Sequence, residues 1–117
     1  MKTTLLVLSA AFCLASYGAA KAATVEFHIK AGTGQNSWND AASMLTVAVG
    51  DTVHIVNDDS IVHTLHTDNN TPCPHGTDMD AGGGSYDCVI SYAFDPAADG
   101  PLHDHYYPEA KFWLTAK

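Results

Sequence analysis

Apolar and polar residues alternate in three short stretches between Thr24 and Asn57, and that period of two limits what the chain can become. In Thr24-Val25-Glu26-Phe27-His28-Ile29-Lys30, Val25, Phe27 and Ile29 share one side while Glu26, His28 and Lys30 share the other. This is the pattern of a strand with one buried face. Met44 to Val49 predicts a second strand, stopped by the turn signal Gly50-Asp51, and Thr52 to Asn57 predicts a third. Asn57-Asp58-Asp59-Ser60 breaks the third strand, and Ile61 to Thr67 resumes extended character. Gly32 to Asp40 reads as a polar loop. Tyr86 to Phe94 and Lys111 to Ala116 add later strands, and no stretch has convincing helical periodicity. Short strands parted by frequent turns predict an all-β antiparallel sandwich with Greek-key connections.

The first residues read as an export signal. Lys2 gives a positive start, an apolar run extends from Leu5 to about Ala15, and Ala20-Lys21-Ala22 fits the small-residue cleavage rule. That run is too short for a permanent membrane span, which needs about 20 residues. The expected organisation is a signal peptide over residues 1–22 and one domain over 23–117, periplasmic or secreted, with no membrane anchor after cleavage. Lys2 and Lys21 fall in the signal, which leaves 13 acidic residues against three lysines, a formal charge of −10. With no arginine and so few lysines there is no basic face for phosphate, so nucleic acid is not an expected partner. Cys13 also falls in the signal. Cys73 and Cys88 remain, and an even pair in an oxidising compartment predicts a disulfide.

Two long irregular segments stand out. Asp68 to Ser85 holds two prolines and four glycines, and a Cys73–Cys88 link would pin it. Asp95 to Pro108 is the second. The chain's seven histidines fall mostly in or beside these loops. His28 and His54 sit on alternating strands and read as surface residues. His63 and His66 are three apart, so a regular strand sends them to opposite faces. His103 and His105 form an H-x-H pair, which puts both rings on one side of an extended backbone. Neutral imidazole is the commonest metal ligand and suits copper, zinc, nickel and iron. The H-x-H pair nominates His103 and His105, which with His63 across a sandwich make the primary candidate ligands, and His66 and His75 stay in reserve. Asp104, Glu109 and Tyr106 are candidates to support the imidazoles from behind.

Leu45 to Val53, followed by Asn57-Asp58-Asp59-Ser60-Ile61-Val62-His63-Thr64, resembles the cupredoxin family of plastocyanin, amicyanin and azurin. The resemblance implies a cupredoxin-like sandwich, copper as cofactor and His63 as a ligand, with His66 pointing elsewhere. The second half departs from that family's pattern. Where blue cupredoxins carry a cysteine soon after Tyr-x-Phe, Tyr92-Ala93-Phe94-Asp95 runs into Pro96, and no methionine follows Met79. Without a thiolate, an all-histidine site predicts a non-blue, type 2-like Cu(II) centre, with zinc an alternative. The expected role is copper carriage, storage or sensing ahead of fast electron transfer, with a redox or copper-transfer protein as partner. The rival readings are a small copper enzyme with an open coordination position and a metal-free, partner-binding sandwich.

Overall fold

The structure, a computed structural model, describes residues 21–117. The expected signal over residues 1–22 lies outside that range except for its last two residues. The strands are β1 (Thr24–Ile29), β2 (Leu45–Val47), β3 (Thr52–Asn57), β4 (Leu65–His66), β5 (Gly84–Val89), β6 (Leu102–Asp104), β7 (Lys111–Phe112) and β8 (Leu114–Ala116). A 3-10 turn spans Ala41–Ser43 and one short helix, α1, spans Pro96–Asp99. Among the described residues no helix is long and apolar enough to cross a membrane.

The alternation does its expected work in β3, where Val53, Ile55 and Asn57 are buried and the residues between them are half-exposed. Ile29, Val47, Leu65, Ile90, Phe112 and Leu114 complete a core shared between the layers. The turn before β3 is tightly specified. Gly50 takes φ +98°, a conformation that disfavours any side chain. Beside it the Asp51 carboxylate accepts hydrogen bonds from the backbone N–H groups of Ala23 and Ala48, both at 2.9 Å. Those two bonds hold the Asp51 carboxyl below its ordinary range and fasten the start of β1 to the β2–β3 turn.

The sheets are mixed, which corrects the strictly antiparallel, Greek-key expectation. One sheet has the order β1-β3-β5, a second pairs β2 with β8, and a third has the order β4-β6-β7. β1 runs parallel to β3 and β2 parallel to β8, whereas β5, β4, β6 and β7 pair antiparallel with their neighbours. The reason is topological. β2 leaves the sheet of β1 to pair with the end of the chain, so β1 and β3 meet as neighbours after two reversals. The second long loop also holds more structure than its sequence suggests, since α1 and β6 both lie within it.

Cys73 and Cys88 form the expected disulfide, and both are fully buried. It ties the loop after β4 to β5. Closing a loop of this length, 15 residues in separation, contributes about 3 kcal/mol on the chain-entropy account. Substituting both cysteines with alanine should lower stability by about that amount in denaturant unfolding, with the β signal of the circular dichroism spectrum retained.

Candidate metal centre

The segment from His63 to His66 lies between two others. On one side the disulfide loop runs antiparallel to it: Met79 N–H donates to His63 O at 2.8 Å, and Gly76 N–H donates to Leu65 O at 2.9 Å. On the other side β6 pairs with β4, setting His66 opposite His103, and just beyond the ladder His105 N–H donates to Thr64 O at 2.7 Å. Three segments thus converge at one end of the sandwich. Each brings a histidine to its outer face.

Those residues are His66, His75 and His105, whose ligand atoms all lie within 4.8 Å of one another. His75 Nε2 is 3.1 Å from His66 Nδ1 and 3.3 Å from His105 Nδ1, and the latter two nitrogens are 3.3 Å apart. Hydrogen bonds from the back of two rings set their tautomers. His75 Nδ1–H donates to Gly76 O at 2.8 Å, and His66 Nε2–H donates to the Asp68 carboxylate at 3.1 Å. Each ring thereby turns an unprotonated nitrogen toward the common centre. Lone pairs this close repel unless a cation, a proton or a metal ion, lies among them.

The spacing fits a metal. Two imidazoles bound at about 2.0–2.1 Å with tetrahedral angles have nitrogens about 3.3 Å apart, whereas a trans pair is separated by about 4.1 Å. No pair in the group approaches the larger value, so the three nitrogens occupy adjacent corners of a coordination polyhedron. His75 and His105 are exposed and His66 is half-exposed, so the remaining corners face solvent. Cys73 and Cys88, the only cysteines among the described residues, are consumed by the disulfide. The donor set is nitrogen alone.

The structure brings together only part of the set expected from sequence. Of the three primary candidates, His105 joins the group. His66 and His75, the reserves, complete it. His103 stands beside it, its ring stacked on that of His66 with centroids 4.6 Å apart and planes 15° from parallel. Its Nδ1–H donates to Asp104 O at 2.8 Å. His103 and His66 also line a cavity of about 370 Å³ that opens beside the centre, with Asp68 and Asp99 on its wall.

His63 is placed apart from the group. Period two sends it inward where His66 points outward, and it is fully buried. Its Nδ1 meets Asp104 Oδ2 at 2.5 Å and its Nε2 meets Asp59 Oδ2 at 2.9 Å. Both ring nitrogens are thus engaged by buried carboxylates. Burial alone raises the Asp59 carboxyl, but hydrogen bonds from His63 and from the N–H groups of Ser60, Gly34 and Gly32 outweigh it and hold the group at about 2.

The supporting residues divide in the same way. Asp104 is buried on His63 rather than behind a ligand. Tyr106 sets its ring edge-on to His105 at 5.3 Å and donates its hydroxyl to Asp78 at 2.7 Å. That bond raises the Tyr106 phenol above its ordinary range. Among the described residues no histidine is hydrogen-bonded to Glu109, which is exposed. His28 and His54 face outward and pair with the nearby carboxylates of Asp58 and Asp87. Two residues that matter were not singled out by sequence, Asp59 and Asp68. Their spacing held the signal: Asp59 precedes His63 by four residues, and Asp68 follows His66 by two.

Gly76 governs how His75 reaches the centre. A Cβ there would sit 2.9 Å from Leu65 O and 3.0 Å from Leu65 N, both backbone atoms of β4. Gly76→Ala must therefore push the loop away from β4 and carry His75 with it. The expected result is metal affinity about tenfold or more weaker, in line with losses on disturbing ligand support, read by competition with a chelator.

Several solved structures are similar to this chain. The novel purple cupredoxin from Nitrosopumilus maritimus matches with a TM-score of 0.55 at 17% identity, over 80% of this chain and 99% of that one. A proline-to-alanine variant of amicyanin in its oxidised state matches with a TM-score of 0.57 at 18% identity, over 80% and 82% of the two chains. A methionine-to-alanine variant of amicyanin, in the Cu(I) form, matches with a TM-score of 0.51 at 20% identity, over 87% and 88%. No protein-family model and no curated protein sequence matches. At these identities the likeness establishes the fold. It is a cupredoxin-like sandwich, carrying at one end a cluster of histidines suited to a metal ion.

Proposed function

We propose that this chain is an exported copper-binding protein that holds one ion on His66, His75 and His105, and that it carries or stores copper. The observation that carries the reading is the triangle of three imidazole nitrogens, 3.1–3.3 Å on edge, with its outer side open to solvent. Imidazole sites accept several divalent ions, and the affinity order of first-row metals puts Cu(II) above zinc and nickel at such a site. The fold supports the same choice, since the similar amicyanin structure is described as a Cu(I) form. The buried disulfide supports an oxidising compartment.

Carriage fits this centre better than rapid electron exchange. Blue-copper electron transfer uses a thiolate bond and a geometry held nearly constant between oxidation states. Three exposed imidazoles with open corners let water or a partner's ligand take the remaining positions, which favours exchange of the ion itself. Titration with Cu(II) and, separately, Cu(I) and Zn(II) tests the reading. One equivalent of Cu(II) should bind with weak visible absorption and an electron paramagnetic resonance spectrum of the type 2 kind. An intense thiolate-to-copper band, or no stoichiometric uptake, would overturn it.

A further inference from the structure

We propose that His63, clasped between Asp59 and Asp104, positions the histidine centre and is not one of its ligands. This rests on the metal reading above and adds how the site is held. His63 is bonded to both segments that converge on its own. Its backbone pairs with Met79 of the loop that carries His75. Its ring bonds Asp104, which sits between His103 and His105. His66 follows it by three residues on the same segment.

Asp104 transmits that hold to the ligands. Its side chain points into the protein while its two neighbours point out, as alternation along β6 demands. One carboxylate oxygen takes the His63 Nδ1–H, and the other accepts Tyr106 N–H at 2.8 Å. The backbone is therefore fixed on both sides of His105. At the far end Asp59 accepts N–H groups of Gly32 and Gly34 at 2.9 and 2.8 Å, which anchors the chain of charges to the loop after β1. The ring of Trp38 meets His63 edge-on at 5.9 Å and that of Tyr107 does so at 6.3 Å. These contacts restrain the imidazole from turning.

The same bonds close the interior to a metal. Both His63 nitrogens are already taken up by buried carboxylates. An ion shared between His63 and Asp104 would also need to part atoms now 2.5 Å from each other, since two ligand atoms at 2.0–2.1 Å from one tetrahedral ion lie about 3.3 Å apart.

The test uses the full chain with Zn(II) as a diamagnetic probe. Imidazole nitrogen–proton NMR of the metal-free chain should show two ring N–H protons on His63. Both should persist after one equivalent of Zn(II), while the nitrogens of His66, His75 and His105 shift. Asp104→Ala should bind one Zn(II) about 10–100-fold more weakly. Asp104→Asn, which keeps one oxygen to accept from His63 but none for the Tyr106 N–H, should regain part of that loss. Loss of a His63 ring proton on loading would make it a ligand and overturn the proposal. So would unchanged affinity in Asp104→Ala, which would confine these bonds to the core. Should Asp104→Ala not fold, Asp104→Asn and the NMR of the unsubstituted chain decide. No Zn(II) or Cu(II) uptake by the unsubstituted chain would instead overturn the metal reading, with the His63 proton count still readable.

Discussion

Replacing His66, His75 or His105 with alanine, one at a time, should weaken copper binding by about a hundredfold or more in each case. Structural zinc sites with four protein ligands gain about 10–16 kcal/mol, or roughly 3 kcal/mol per ligand, and each 1.4 kcal/mol is a factor of ten. With only three ligands, none is spare. His103→Ala should cost far less, because that ring stacks on His66 without turning a nitrogen into the triangle. The metal-free variants should unfold within about 0.5 kcal/mol of the parent chain, since His75 and His105 are exposed and carry no core packing. Competition titrations against a copper chelator, paired with denaturant unfolding of the apo chains, check both halves. Equal losses at all four histidines would contradict the assigned roles.

Asp59→Ala should lower stability by about 3–5 kcal/mol, the usual cost of removing one partner from a buried ion pair. A domain of this size has only about 5–15 kcal/mol of stability to lose. The substitution strands the His63 Nε2–H and the N–H groups of Gly32 and Gly34, all of which now donate to this carboxylate. The same carboxylate shapes the acid limb of stability. Its folded value is about 2, against an ordinary 3.8. The folded state thus gains from Asp59 being ionised, fully so above about pH 4, and that gain drains away as pH falls through 4 toward 2. Asp59→Asn should flatten stability across that window. A variant whose unfolding free energy follows pH as steeply as the parent's would refute the assignment.

Much of the fold is legible in the sequence, and the reasons are local. β1 and β3 read correctly because one buried face forces a period of two along six residues. β4 reads poorly because only two residues pair there, although alternation does place His63 and His66 on opposite faces. The parallel pairing of β1 with β3 is not legible at all, since it depends on where β2 goes. Trp38 lies among Ser37, Asn39 and other polar neighbours and reads as loop, yet it is buried against Phe112. That contact is made across the fold, not along the chain.

The centre is legible in its chemistry and less so in its membership. The number of histidines and the missing cysteine point to a nitrogen-only site. Resemblance to the cupredoxin family directs attention to His63. What the residue types do not show is that Asp59 and Asp104 take up both His63 nitrogens, because an aspartate reads the same whether it faces water or a buried imidazole. The position of His75, a reserve candidate, is illegible for a related reason. Its place follows from the antiparallel run of residues 76–79 along residues 63–65, a pairing that no periodicity announces.

The most direct test of this account is a structure of the copper-loaded chain with anomalous scattering recorded at the copper edge. The expected result is a single peak within bonding distance of His66 Nδ1, His75 Nε2 and His105 Nδ1, with His63 still clasped by Asp59 and Asp104. A peak between His63 and Asp104, with the outer three histidines unligated, would contradict it.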